Sequence, residues 1–151
     1  MYDIQQKKFS ELTTTELYQL LKLRVDVFVV EQACAYPELD DKDCAADTQH
    51  ILIYEQNQLA AYARCLAPNS TFSDACAIGR VVVAEQARGK GLAEELMSQA
   101  MKTCQNSWPT SDLKISAQSY LLGFYARLGF EVSSEPYLED GLPHQDMILA
   151  K

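Results

Sequence analysis

The sequence predicts one domain of the α/β (α+β) class, in which strands and helices alternate along 151 residues. The length falls within the range of a single domain, and no stretch resembles a linker that would separate two. Hydrophobic residues make up 48% of the composition, which is enough apolar side chain for a folded core. In the middle of the chain, a run of valines leads into a glycine-containing loop and then into apolar residues at helical spacing. This strand, loop and helix unit is the most informative local pattern.

In the first half of the chain, we expect strands on either side of one long helix. Thr13 and Glu16 form a capping-box pattern, which marks the start of a helix. Apolar residues at helical spacing then continue it. Farther along, two β-rich runs flank a polar turn at residues 56–58, as the strands of a hairpin do. The predicted elements are a short strand at Tyr2 and Ile4, a helix over residues 14–30, and hairpin strands over residues 50–55 and 59–66.

The second half begins with a strand that we expect to be buried on both faces, because Val81, Val82 and Val83 form an uninterrupted apolar run. The helix after the glycine loop is indicated by apolar residues that recur every three or four positions. Gly129 is expected to end the next helix. The predicted elements are strands over residues 78–83, 113–117, 130–132 and 145–149, and helices over residues 91–103 and 120–128.

The net charge of −8 argues against nucleic acid or an anionic membrane surface as the main partner, because both would be repelled. A cationic acceptor would be attracted instead. Much of the negative charge lies in one stretch of five acidic residues, and a solvated loop is the interpretation we favour for it. These residues are Glu38, Asp40, Asp41, Asp43 and Asp47.

The five cysteines are odd in number and none forms a Cys-x-x-Cys pair, so we predict neither a disulfide framework nor a metal site. Free, mostly buried thiols are expected. The N-terminal residues lack the basic and apolar segments of a secretory signal, and no apolar run approaches the roughly 20 residues of a spanning helix. We therefore expect a cytoplasmic protein.

Residues 88–93 carry the strongest chemical signal, because they lie where a strand turns into a helix. Their glycines allow a tight backbone, the helix start offers free N–H groups, and the helix dipole favours an anion there. Arg88 and Lys90 add positive charge. A Walker loop would need Ser or Thr where Gly91 stands, and a dinucleotide fingerprint would need Gly or Ala in place of Glu94. A pyrophosphate cradle remains, with a plain connecting loop as the alternative.

The run Arg88, Gly91 and Ala93 resembles the acyl-CoA signature of the GNAT superfamily of acyltransferases. The segment Phe124 to Phe130, with Tyr125 and Gly129, resembles the later FY-x-x-x-GF segment of the same superfamily. The stretches LRVDVFVVEQ, YPELDDKD and DGLPH are similar to its ElaA-like branch. The resemblance implies a single GNAT-type domain with a central mixed, mostly antiparallel sheet that is flanked by helices and splayed between the fourth and fifth strands.

The resemblance also implies acetyl-CoA as co-substrate, without a metal, and assigns residues to its binding. The backbone of Val81, Val82 and Val83 would hold the pantetheine and the thioester carbonyl. Gln118 stands where the superfamily often has Asn, so one contact to the cofactor would differ. Tyr125 would protonate the departing thiolate. The pyrophosphate contacts would come from Arg88, Gly89, Lys90, Gly91, Leu92 and Ala93.

For the acceptor we expect a primary amine on a small molecule or a peptide, with a polyamine or another cationic amine favoured by the charge. Glu31 is the candidate base that would deprotonate it, alongside the simpler interpretation of a solvated glutamate. Arg24 would orient Glu31, contact substrate or form a structural ion pair. Phe28 and His144 are expected at the acceptor site. The protein would act as a monomer or a homodimer.

Two rival functions stay open at this stage. Acyl-homoserine lactone synthases resemble GNAT enzymes and carry Arg and Phe at places like Arg24 and Phe28, but Cys34 stands where a tryptophan would be expected. They usually use an acidic carrier protein, which this acidic chain would repel. The other rival is a CoA-binding regulator without turnover, which an assay of thiol release would distinguish from an enzyme.

Overall fold

The computed structural model of the chain describes residues 2–150, and within them eight strands form one mixed sheet. The sheet order is β1-β2-β3-β4-β5-β8-β6, and β7 pairs with the outer part of β8. All pairs are antiparallel except β4 with β5. The strands are β1 (Tyr2–Lys8), β2 (Gln49–Glu55), β3 (Gln58–Leu66), β4 (Ala75–Val83), β5 (Asp112–Gln118), β6 (Glu131–Val132), β7 (Tyr137–Glu139) and β8 (Leu142–Leu149).

Helices cover both faces of the sheet. Helix α1 (Thr14–Arg24) packs through Leu20 against Leu52 and Tyr62, and it continues as a wider π-helical segment, Val25–Glu31. Helices α2 (Leu92–Ser107) and α3 (Leu122–Arg127) pack on the other face, over the larger apolar core. No helix within residues 2–150 is long and apolar enough to cross a bilayer.

The feature of the fold that forms the site is the separation of β4 from β5. Their parallel pairing joins Ala75–Ala77 to Asp112–Lys114, and the later residues of both strands line a cavity between them. A bulge in β4 shifts its register with β3 between Tyr62 and Arg64, where Arg80 has a φ of 53°. The predicted fold class and the splay between the fourth and fifth strands are thus confirmed.

The predicted elements are all present, but one differs in shape, and one observed strand was not predicted. The first helix was expected to be regular to residue 30, but its last turns are π-helical. Strand β7 was not predicted, because its three residues carry too short a pattern. The valine run packs on both faces of the sheet. Val82 is buried under α1, and Val81 and Val83 are half-buried on the other face. Cys65, Cys76 and Cys104 are free and buried, as expected.

Candidate active site

The loop between β4 and α2 has the backbone expected of an anion cradle. Gly89 and Gly91 have φ values of 81° and 76°, a region that glycine enters without the steric cost that other residues meet. Gly91 directly precedes α2, whose 16 residues align their peptide dipoles toward the loop. The unpaired N–H groups of the first helical turn therefore meet a cleft that favours an anion.

Arg88 stands at the edge of this cleft, where it is held by Glu31. Its Nη1 and Nη2 donate to the two carboxylate oxygens of Glu31 at 2.8 and 2.9 Å, and its Nε donates to the Val83 carbonyl at 3.1 Å. The hydrogen bond from Arg88 lowers the pKa of Glu31. The structure thus places Glu31 in an exposed ion pair with Arg88 at the rim of the cleft, and its role as the base stays a prediction.

The cleft itself is a cavity of about 510 Å³ between the splayed strand β4, the loop and the start of α3. Most predicted cofactor residues line it. Lys90 does not: its Nζ lies 3.2 Å from the carboxylate of Glu55 on β2, so its charge is directed away from the cleft. The predicted residues that line the cleft are Val81, Val82, Val83, Arg88, Gly89, Gly91, Leu92, Ala93 and Gln118.

Tyr125 lies on α3 at the inner end of the cleft. It is 7% exposed, and its ring makes edge-to-face contacts with Phe124 and Phe130 at centroid distances of 5.1 and 6.1 Å. Burial raises the pKa of Tyr125 to about 12, and the nearby phenol of Tyr120 acts in the same direction. The hydroxyl therefore remains protonated across the neutral pH range and is available as a proton donor.

A second, smaller cavity of about 130 Å³ lies beside the cleft, and Tyr125 lines both. The two cavities share six lining residues, so they adjoin each other across the splay, and we call them together the passage. Phe28, a predicted acceptor-site residue, lines both, whereas His144 lines the smaller one only. The shared residues are Phe28, Gln32, Val81, Gln118, Leu121 and Tyr125.

His144 is held tightly in the wall of the smaller cavity. It is 6% exposed, its ring stacks on Tyr137 with a centroid distance of 6.1 Å, and its Nδ1 lies 2.8 Å from the Leu142 carbonyl oxygen. The Tyr137 hydroxyl donates to Asp146 at 2.6 Å and also contacts the hydroxyl of Ser116. Two segments of the sheet thereby fix the imidazole at one side of the passage.

Arg24 corrects the prediction of direct contact with substrate, because it lines neither cavity. Its side chain is fully buried, with Nε 2.6 Å from Glu38 and Nη1 2.7 Å from Asp43. Burial alone would lower the pKa of Arg24, but hydrogen bonds to these carboxylates raise it overall. Of the three roles considered, the structural ion pair is the one that the geometry supports.

The acidic stretch after α1 is likewise not a solvated loop. Glu38 and Asp43 are buried, and Asp40 is half-buried. Besides Arg24, these carboxylates bind Arg64 of β3 and Arg80 of β4 at distances between 2.5 and 3.5 Å. We call these six residues the ion-pair network: Arg24, Arg64, Arg80, Glu38, Asp40 and Asp43. Of the five acidic residues, only Asp41 and Asp47 are exposed.

Several residues of the smaller cavity were not predicted. Tyr36 donates a hydrogen bond to Glu38. The guanidinium carbon of Arg80 lies over the Tyr36 ring, 5.7 Å from the ring centroid. Burial and this hydrogen bond raise the pKa of Tyr36. Glu139, the last residue of β7, and Asp140, in the turn to β8, also line this cavity. The DGLPH and YPELDDKD stretches contain some of these residues, but the sequence alone does not show that the two stretches lie at the same cavity.

Within residues 2–150, no cluster of three or more His, Cys, Asp or Glu side chains has the arrangement of a metal site. The groups that surround the passage are instead hydrogen-bond donors, acceptors and proton carriers. A flexible, anionic ligand that enters along the loop would have its inner end between β4, β5 and Tyr125.

Comparisons with known proteins extend over nearly the whole chain. A family model described as the acetyltransferase (GNAT) domain matches residues 16–151. Protein ElaA of Escherichia coli (strain K12) is 42% identical over 147 residues, covering 97% of this chain and 95% of ElaA. An acyl-CoA N-acyltransferase from Pseudomonas aeruginosa superposes with a TM-score of 0.94 at 42% identity, covering 99% and 100% of the two chains. The crystal structure of Escherichia coli ElaA gives a TM-score of 0.92 at 41% identity, covering 98% and 99%.

A more distant structure has a different chemistry. BjaI, described as a CoA-dependent acyl-homoserine lactone synthase, superposes with a TM-score of 0.76 at 18% identity, covering 98% of this chain and 83% of BjaI. At this level of identity the likeness extends to the fold alone.

Proposed function

Because the chain belongs to the GNAT acetyltransferase family, we propose that it transfers an acetyl group from acetyl-CoA to a primary amine. The observation that carries this proposal is the pair of adjoining cavities in the splayed sheet, with the anion cradle beside the larger one and Tyr125 in the wall of both. A donor and an acceptor that enter from opposite ends would meet beside Tyr125. Holding both reactants in one geometry is a large part of what such a site contributes.

In this proposal the diphosphate of acetyl-CoA lies on the loop of residues 88–93. Backbone N–H groups from Gly89 onward and the dipole of α2 stabilise its charge. Arg88 exchanges part of its contact with Glu31 for a phosphate oxygen, since a guanidinium binds carboxylate and phosphate in similar geometry. The pantetheine then runs along Val81 to Val83, on the edge of β4 that is free of β5.

The chemistry begins when the amine nitrogen attacks the thioester carbonyl carbon and forms a tetrahedral intermediate. Backbone N–H groups of the open edge of β4 donate to the oxyanion, a contribution worth several kcal/mol in sites of this type, typically about 3. Collapse of the intermediate breaks the C–S bond. Tyr125 donates a proton to the departing thiolate, a role that suits a buried phenol with a pKa raised to about 12.

The acceptor that we propose is a cationic amine, such as a polyamine or a lysine side chain of a peptide. Within the ion-pair network, three arginines balance three carboxylates, so the network adds little net charge to the cavity. Glu139 and Asp140 are outside this network and line the smaller cavity, which we assign to the acceptor and call the acceptor cavity. Together with the net charge of −8, these carboxylates favour a positively charged acceptor.

Two measurements on the purified protein test the proposal in sequence. Acetyl-CoA at a hundred times its Kd is expected to stabilise the fold by about 2.7 kcal/mol, which a thermal shift detects. Release of CoA thiol is then followed with polyamines, lysine-containing peptides and neutral amines. Stabilisation without thiol release from any acceptor would indicate a CoA-binding regulator instead. The absence of any stabilisation would reject the proposal at its first step.

The salt dependence of KM tests the preference for a cationic acceptor separately. If charge attracts the acceptor, the KM for a polyamine rises with salt concentration while the KM for a neutral amine does not. Equal salt dependence for both acceptors would contradict the charge argument and leave the acetyl transfer itself intact.

A further inference from the structure

We propose that His144 is the general base that removes a proton from the acceptor amine. The inference rests on the proposed acetyl transfer and replaces Glu31 in this role. An amine is protonated near neutral pH and has no lone pair for attack until a base accepts that proton. His144 is a buried imidazole in the wall of the acceptor cavity, with one nitrogen bound to the main chain. Four observations support it.

The first observation is the hydrogen bond that fixes the tautomer. A carbonyl oxygen only accepts hydrogen bonds, so the 2.8 Å contact with the Leu142 carbonyl requires the proton on Nδ1 of His144. In the neutral imidazole the lone pair then lies on Nε2. The nitrogen that is not held by the backbone is therefore the one able to accept a proton.

The second observation is position relative to the reacting centre. His144 on β8 stands directly opposite Gln118 on β5 in the strand register. Gln118 lines both cavities, as does Tyr125. The imidazole is therefore one strand away from the junction where the thioester and the amine would meet. Glu31, in contrast, lines the cofactor cleft and is absent from the acceptor cavity.

The third observation is the charge that surrounds the imidazole. The carboxylate of Glu139 lies 3.8 Å from Nε2. A cationic amine that approaches Nε2 would therefore also meet a carboxylate, which attracts it. Two other charged groups line the cavity. They are Asp140, in the turn that follows Glu139, and Arg80, whose charge is balanced by Glu38 and Asp40. The cavity also contains the phenols of Tyr36 and Tyr125 and the thiol of Cys34.

The fourth observation is rigidity. Tyr137 stacks on one face of the ring, and its own hydroxyl is held by Asp146 at 2.6 Å. A base fixed in this way needs no reorganisation before proton transfer, which is the purpose of a supporting layer of contacts around a reactive group.

The proton balance of the reaction is then complete. Nε2 of His144 takes one proton from the acceptor ammonium, and the free amine forms the C–N bond while the carbonyl electron pair moves to oxygen. On collapse the C–S bond breaks, and the nitrogen loses a second proton. That proton replaces the one that Tyr125 gives to the thiolate. His144 releases the first proton to solvent, so the products are the amide, CoA thiol and one proton.

The decisive test is the pH profile of kcat/KM for a polyamine acceptor in three variants. His144→Gln is expected to lower kcat roughly a hundredfold and to abolish the acidic limb of the profile. Glu139→Gln removes the carboxylate beside Nε2 and is expected to raise the KM for the polyamine more than it lowers kcat. Glu31→Gln is expected to change the apparent affinity for acetyl-CoA through Arg88 and to leave the limb in place.

A second measurement separates catalysis from folding. The chain has two histidines, so ring-labelled protein gives two assignable imidazole signals, and the neutral form of His144 is expected to carry its proton on Nδ1. Acetyl-CoA binding by His144→Gln is expected to equal that of the parent. A variant that binds acetyl-CoA and keeps both kcat and the acidic limb would overturn the inference. Lack of thiol release by the parent itself would instead count against the proposed function.

Discussion

Tyr125 and His144 illustrate how single side chains acquire a function from their surroundings. Both are buried, and both line the acceptor cavity from different elements. Burial raises the pKa of the Tyr125 phenol to about 12 and so keeps its proton available. A hydrogen bond to the backbone fixes the proton of His144 on one nitrogen. In the proposed reaction, Tyr125 donates a proton and His144 accepts one.

The role of Tyr125 leads to the first prediction. Tyr125→Phe is expected to lower kcat by about tenfold to a hundredfold, because the thiolate must then leave without a proton donor. The effect lies at the lower end of acid catalysis, since a thiolate is a tolerable leaving group. Affinity for acetyl-CoA, measured by thermal shift or calorimetry, is expected to stay within about twofold. Tyr18→Phe makes the same change at an exposed position on α1 and serves as the control. An unaltered kcat in Tyr125→Phe would contradict the assignment.

At this scale, sequence revealed the residues that belong to a compact motif and missed those that meet through folding. Arg88, Gly91 and Tyr125 were predicted because their spacing is local. Glu31 was the candidate base and Arg24 was left open between substrate contact and a structural ion pair, yet each is engaged by charged partners distant in sequence. The partners of a charged side chain depend on which strands and loops pack together, and a linear pattern does not contain that information.

At the level of elements, the loop before α2 depends on backbone conformations that only glycine adopts at low cost. Gly91→Ala is expected to destabilise the fold by about 1 kcal/mol, because its φ of 76° lies in the left-handed region. The added Cβ would meet only Glu94 Oε2, at 3.7 Å, so the cost comes from the backbone. Relaxation of that strain would shift the N–H groups of the cradle, and affinity for CoA is expected to fall several-fold.

Gly123→Ala is the matched control for this change. Gly123 lies within α3, where alanine favours the helix by up to about 1 kcal/mol, and its added Cβ would be 3.8 Å from Nη1 of Arg127. Denaturant unfolding and calorimetric titration with CoA are the measurements. Equal CoA affinity in Gly91→Ala and the parent would contradict a role for the loop conformation.

Helix α1 is anchored by Arg24, which gives a prediction for stability. Arg24→Met is expected to cost about 3 kcal/mol in unfolding free energy, because it leaves Glu38 and Asp43 with fewer cations in a buried site. Arg80 and Arg64 remain beside these carboxylates, so we expect a loss at the lower end of what removing one partner of a buried ion pair usually costs. Lys22→Met removes an exposed pair with Asp26 from the same helix and is expected to leave the free energy almost unchanged. Similar losses in the two variants would contradict the importance of burial.

The elements themselves were largely predictable from periodicity and turn residues. The irregular parts were not. The π-helical segment Val25–Glu31 carries no breaker residue, and the bulge at Arg80 places a non-glycine residue at positive φ. Both features border the cavities, where tertiary contacts outweigh local preference. The strand β7 is only three residues long and is defined by its pairing with β8.

Over the whole molecule, the ion-pair network joins the loop after α1 to β3 and β4 and so supports the wall of the acceptor cavity. Burial alone would raise the pKa of Asp40 and of Asp43, but hydrogen bonds from Arg64 and Arg24 respectively lower both overall. His50 is buried next to this network, with Nε2 3.1 Å from the Asp43 carbonyl. Burial lowers the pKa of His50. Each of these groups therefore binds protons less readily in the folded state than in the unfolded state.

Acid is consequently expected to destabilise the fold in two stages. The stability that His50 contributes is complete above its unfolded pKa, near 6.5, and is lost as pH falls through the lower folded value. The stability from Asp40 and Asp43 is complete above the unfolded value near 3.9 and is lost below it. Urea unfolding between pH 7 and about pH 2 measures both stages. Asp43→Asn is expected to be less stable at pH 7 and to show a shallower decline below about pH 4, whereas Asp47→Asn, at an exposed position, follows the parent. A decline in Asp43→Asn as steep as that of the parent would show that the network is not the source of the acid sensitivity.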